Sequence, residues 1–187
     1  MAFFNLIDGG GSGRLATVSS FFRLNVSAKT NPRIFYSSRD EGKAFNAIST
    51  DASADAGDYI FYLKNTSTSD NLYVKHLEFH SANAAVWKVW EVTGTAAGSS
   101  VVTASNLNLG SPNVSETLSR GDGAITGLTT VKQIGTHRND ANGEGEMNYD
   151  NALVLAPNSA IAVEYDSGTT GAAEIDCFFH FEEIGKK

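Results

Sequence analysis

The residues best placed to do chemistry are few. His76, Glu78 and His80 alternate along one run, so in a strand they share a face, a spacing that supplies three metal ligands. The same alternation puts Leu72 and Val74 on that face, which favours a half-exposed sheet surface over a metal centre. Asp140, Asn142, Glu144 and Glu146 alternate through DANGEGE, an arrangement of oxygens suited to a hard cation. The run lacks the terminal glutamate of an EF-hand loop, so an acidic surface loop is the preferred reading and these four remain the candidate metal residues. Gly9–Gly13 is followed by no Lys-Ser/Thr pair, which makes it a linker rather than a phosphate loop.

Nucleophilic and acid–base catalysis find no more support. No Gly-x-Ser-x-Gly elbow occurs. Glu182 and Glu183 are adjacent, hence on opposite faces of a strand, which is poor geometry for a carboxylate pair. The single cysteine, Cys177, lies in an aromatic strand and reads as a buried thiol. The chain is therefore expected to be non-enzymatic and to carry no cofactor. Arg120-Gly121-Asp122 spells an adhesion tripeptide that a β-turn explains. Trp87 and Trp90, three apart, point to opposite faces of a strand, one into the core and the other towards a sugar or a subunit interface.

The elements that position these residues have a period of two. YIFYLKN begins after Asp58, LYVKHLEFH follows the polar turn at residues 68–71, and VWKVWEV ends at Gly94. The short polar turn predicts that the first two of these strands pair antiparallel. Further strands are predicted over Val101–Leu109, Ile125–Ile134, Leu153–Leu155, Ile161–Tyr165 and Ala172–Glu183, the last with Ile175, Cys177, Phe179 and Phe181 on one face. Strands at intervals of roughly ten residues, with 18 glycines and no long helical stripe, predict an all-β protein. The expected architecture is an antiparallel sandwich, jelly-roll-like, over residues 51–187, preceded by an extended N-terminal arm over residues 1–50.

Length and charge agree with that organisation. A chain of 187 residues with 41% hydrophobic residues can bury roughly two-thirds of its unfolded surface. Its net charge of −7 argues against nucleic acid as a partner. No apolar run approaches a membrane span, and the first residues lack the basic start of a signal peptide, so neither membrane nor secretion is expected. The charge is uneven, because Arg14, Arg23, Lys29, Arg33, Arg39 and Lys43 face only Asp40 and Glu41 within their segment. A basic extended segment on an acidic protein points to docking on an acidic surface. Arg14, Phe21, Phe22, Arg23, Arg33 and Arg39 are the expected docking residues.

The Gly-rich start, EGKAFNAIS, DYIFYLKNTSTSDNLYVKHLEF, WKVWEV, NLNLGSPN and the closing LVLAPNSAIAVEYD…FFHFEE together resemble the small β-sandwich virion proteins of tailed bacteriophages. The resemblance covers most of residues 41–183 and lies in the order and style of the strands. It implies a structural role on the virion, either a head decoration (cement) protein on the capsid exterior or a tail or fibre component. It implies the major capsid protein as partner, a homo-oligomer with a trimer favoured, and synthesis in the host cytoplasm, and it carries no active-site residues. The alternative reading is a receptor-binding tail or fibre module in which Trp87 or Trp90 and the Asp140–Asp150 loop meet a host glycan.

Overall fold

The computed structural model describes residues 37–185. A single helical turn, Ser37–Glu41, is followed by eleven strands: β1 (Ala44–Ala54), β2 (Asp58–Asn65), β3 (Asp70–Ser81), β4 (Ala85–Ala97), β5 (Ser100–Val102), β6 (Ser105–Asn106), β7 (Thr117–Gly121), β8 (Thr126–Asn139), β9 (Gly143–Leu155), β10 (Ala160–Ser167) and β11 (Gly171–Glu183). They form two antiparallel sheets, one of five strands in the order β6-β1-β11-β3-β9 and one of six in the order β5-β7-β2-β10-β4-β8. The chain is an all-β sandwich.

Alternation drives the packing. In β11 the side chains of Ala173, Ile175, Cys177, Phe179 and Phe181 are buried, while Glu174 and Asp176 between them point outward. Phe45, Phe61, Leu63, Leu72, Val74, Leu77, Phe79, Trp87, Val89, Ile161, Val163 and Tyr165 join them in one core between the sheets. Its aromatic rings are in van der Waals contact: Phe45 stacks on Phe179 with centroids 5.8 Å apart, and Trp87 stacks on Phe79 at 4.9 Å. A smaller cluster of Tyr62, Val92, Ala96, Ile125, Ala160 and Ala162 occupies the outer face of the six-stranded sheet, since Ala160 and Ala162 alternate with core residues.

Most connections between consecutive strands cross from one sheet to the other; β4–β5 and β7–β8 stay within the six-stranded sheet. This corrects the expectation that the turn at residues 68–71 closes a hairpin: β2 lies in the six-stranded sheet and β3 in the five-stranded one. The reason is a buried corner. Asn65 Nδ2 donates to the carbonyls of Asp70 and Leu155, both at 2.9 Å, and Asn65 Oδ1 accepts from Ser67 N at 3.0 Å. Its own backbone bonds Ser159 and Asn158 in the turn between β9 and β10. One fully buried asparagine thus ties together two chain crossings.

Three further expectations change. The period of two slips in β3, whose register against β9 shifts between Val74 and His76. Leu72 and Val74 therefore share the core face with Leu77 and Phe79, and His76, Glu78 and His80 face out without them. The strand predicted over Val101–Leu109 is two short strands, β5 and β6, followed by an irregular loop. The arm boundary at residue 50 falls inside β1 (Ala44–Ala54), which sits between β6 and β11.

Candidate functional site

The side chains predicted for docking are divided. Arg14, Phe21, Phe22, Arg23 and Arg33 lie outside the described residues. Arg39 is exposed in the helical turn, with Nε 2.7 Å and Nη2 2.8 Å from the two carboxylate oxygens of Asp40. That bidentate pair raises the Arg39 pKa and lowers that of Asp40. Beside this turn runs the loop between β6 and β7. Its Asn108 Nδ2 reaches the Arg39 carbonyl, Asn113 Nδ2 donates to Glu41 O at 3.0 Å, and Asn106 Nδ2 donates to Gly42 O at 2.8 Å. Asn108 and Asn113 also sit in Asx- and serine-capped turns of the loop itself. The loop is held in shape by polar bonds, yet it presents Leu109 at 94% exposure and Val114 at 82%, with Leu107 close by. An ordered loop that displays large apolar side chains is a candidate docking surface. The sequence reading missed it by taking Leu107 and Leu109 as strand positions, although Gly110-Ser111-Pro112 is a turn signal.

The outer face of the five-stranded sheet carries the residues considered as metal ligands. His76 Nε2 lies 3.1 Å from Glu78 Oε1, and its ring stacks on Phe178 at 4.3 Å. Cross-strand register aligns Asp176, Glu78 and Glu146 in one row and Glu174, His80 and Glu144 in the next. These residues line a shallow concavity of about 710 Å³. Like charges so aligned repel, and the face is strongly acidic. Among the described residues no three His, Cys, Asp or Glu side chains converge as a metal site. The DANGEGE run, preferred as an acidic surface loop, divides between a turn and a strand. Asp140–Asn142 is an ordinary turn, closed by Gly143 N to Asp140 O at 2.9 Å with Asn142 at φ 55°, and Glu144 and Glu146 leave it as outward residues of β9.

Trp87 and Trp90 point to opposite faces. Trp87 is completely buried, edge-on to Tyr165, and its Nε1 donates to Asn139 Oδ1 at 2.7 Å, so its candidacy as a glycan or interface residue is corrected to a core role. Trp90 is half-buried on the outer face of the six-stranded sheet, and its Nε1 donates to Glu164 Oε2 at 2.8 Å. Lys88 bridges Glu164 and Asp166 at 2.9 and 2.8 Å, and these bonds raise its pKa. Tyr59, cross-strand from Glu164, has its pKa raised by burial and then by the Glu164 charge.

Two other motifs are structural. Arg120 Nη1 donates to Ser99 O at 2.7 Å, and Asp122 Oδ1 accepts from Thr50 N at 3.0 Å, so the adhesion tripeptide is tied into the sandwich. Burial pushes the Cys177 thiol well above its ordinary pKa, and burial with Cys177 nearby pushes the Tyr149 phenol up to about 12. No helix among the described residues is long and apolar enough to cross a membrane. No family model matches the chain, and no curated protein matches it.

Proposed function

We propose that the chain is a non-enzymatic virion structural protein of a tailed bacteriophage, a decoration or cement protein on the capsid exterior that clamps the lattice of the major capsid protein. The observation that carries the reading is the loop between β6 and β7. It offers Leu109 and Val114 to a partner at no ordering cost, because Asn106, Asn108 and Asn113 already fix its backbone. The loop stands beside the helical turn that carries the exposed Arg39. Weak contacts of this kind become firm attachment when a homo-oligomer makes several at once.

A second reading, a tail- or fibre-associated module that binds a host glycan, is favoured by Trp90. Hydrogen bonding to Glu164 fixes its ring, and Lys88, bonded to Glu164 and Asp166, extends the row of groups that bond sugar hydroxyls along the same strands. The deciding experiment is quantitative mass spectrometry of purified virions. One copy per major capsid protein, or a simple fraction such as a third, supports decoration. A handful of copies per particle replaces it with the tail or fibre reading, and absence from virions overturns both.

A further inference from the structure

The two sides of the sandwich treat their open strand edges in opposite ways. On one side the sheets end in β5 and β6, which are 3 and 2 residues long. Short edges of that kind prevent pairing between molecules. On the other side the sheets end in β8 and β9, which are 14 and 13 residues long. Among the described residues no strand pairs with the outer edge of either. These two strands also carry exposed apolar side chains, Val131 at 56%, Ile134 at 36% and Val154 at 41%.

Their charges are complementary to one another and not to themselves. β8 holds Lys132 and Arg138 and no carboxylate, whereas β9 holds Glu144, Glu146 and Asp150 and no cation. Pairing β8 with β8, or β9 with β9, would set like charges across a ladder, while pairing β8 with β9 sets opposite ones. Within one chain the two strands belong to different sheets, so that pairing is open only to another copy.

We infer that the β8/β9 side is the interface between copies of this chain, formed by β8 of each copy adding to β9 of its neighbour. The symmetry follows from the strand directions. β8 and β9 run antiparallel because the turn Asp140–Asn142 joins them. Rotation about an axis parallel to the strands preserves each strand's direction, so β8 of one copy meets β9 of the next antiparallel and both sheets continue across the junction. The operation closes into a ring in which β8 and β9 of each copy face a neighbouring copy. Because the turns of all copies lie at the same level, Arg138 falls opposite the neighbouring copy's Glu144, and Thr136 opposite its Glu146. The ladder is confined to the first half of β9, because the register of β9 against β3 is interrupted between Asn148 and Leu153. This inference supplies the contact surface for the homo-oligomer assumed above, and it stands whether or not the assembly sits on a capsid.

The test uses the full 187-residue chain, 19.9 kDa, in light scattering coupled to size exclusion. The natural chain is expected at a multiple of the monomer mass. T136E/R138E, which sets carboxylates against Glu144 and Glu146, is expected at the monomer mass with an unchanged circular dichroism spectrum. Adding E144K/E146K to that variant restores the ring by exchanging the charges. A monomeric natural chain overturns both the homo-oligomer and this interface. An oligomer indifferent to T136E/R138E, or one that E144K/E146K does not restore, overturns the interface alone.

Discussion

Replacing Asn65 by alanine tests the account of how the two sheets are joined. The side chain is fully buried and makes three hydrogen bonds, two donated to the carbonyls of Asp70 and Leu155 and one accepted from Ser67 N. Alanine leaves all three backbone groups without this partner. A buried polar group left unsatisfied costs about 1–3 kcal/mol. Allowing for partial relaxation towards water at the corner, the total loss is about 3–6 kcal/mol. That is a large share of the roughly 5–15 kcal/mol by which domains are stable. For a domain of this size it corresponds to a fall in Tm of roughly 8–20 °C. Equilibrium unfolding in urea, followed by the fluorescence of buried Trp87, measures it directly. Asn65→Leu fills similar space without hydrogen bonds and is expected to lose nearly as much as alanine. A loss below about 1 kcal/mol for alanine, or full recovery by leucine, would refute the idea that the amide holds the crossings, because space-filling alone would then explain the residue.

The other expectations are more local. L109S/V114S removes two apolar side chains whose burial is worth about 1.5–3 kcal/mol each, and it should weaken binding to purified, undecorated capsids at least about 100-fold in a sedimentation assay while leaving Tm within about 1 °C. Unchanged binding would mean the loop is not the docking element. Cys177 should resist a thiol reagent in the folded protein and react fully in denaturant, since its thiolate is strongly disfavoured by burial. The Tyr149 phenol, raised from 10.0 to about 12 in the folded state, contributes stability that is intact below pH 10 and lost as pH rises through 12. Tyr149→Phe should therefore show a shallower alkaline loss of stability between pH 10 and 12, and an identical slope would remove burial of that phenol as the cause.

The alternation in Ala172–Glu183 and Ile161–Tyr165 made most of the core legible before any coordinates, because inward residues recur at every second position without interruption. Where the alternation slips, the sequence misleads. The irregularity in β3 lies between Val74 and His76, and nothing in LYVKHLEFH marks it. The same strand pairs with β9 and β11 through residues more than sixty positions away, and those partners set the slip. The crossing at Asn65 was illegible for a related reason. A short polar turn is equally good at closing a hairpin or passing between sheets, and the choice is made by where Leu155 and Ser159 arrive. The opposite faces of Trp87 and Trp90 followed from spacing alone, whereas the display of Leu109 and Val114 depends on asparagine bonds to residues 39–42. Candidate catalytic and metal residues were countable in the sequence, but only their placement shows that Glu144 and Glu146 belong to a sheet face rather than a loop.

The placement of the two surfaces has an energetic consequence for a decorating protein. The apolar loop is attached at the β5/β6 side of the sandwich, and the long edges lie at the β8/β9 side, so self-association leaves the docking side chains uncovered. A ring about an axis parallel to the strands turns every β8/β9 side inward and every β5/β6 side outward. Each copy then offers its own Leu109 and Val114 to the lattice at the same height. If one loop binds with a dissociation constant near a millimolar, about 4 kcal/mol, a second tethered contact at an effective concentration of millimolar or more raises occupancy by orders of magnitude. It follows that T136E/R138E, which touches neither loop, should release the protein from capsids almost as completely as L109S/V114S does. The two defects differ in one respect: raising the concentration of the monomeric variant restores occupancy to the level of single contacts, whereas the loop variant stays unbound. If the T136E/R138E monomer binds as tightly as the natural oligomer, avidity plays no part and the loop alone must supply the affinity.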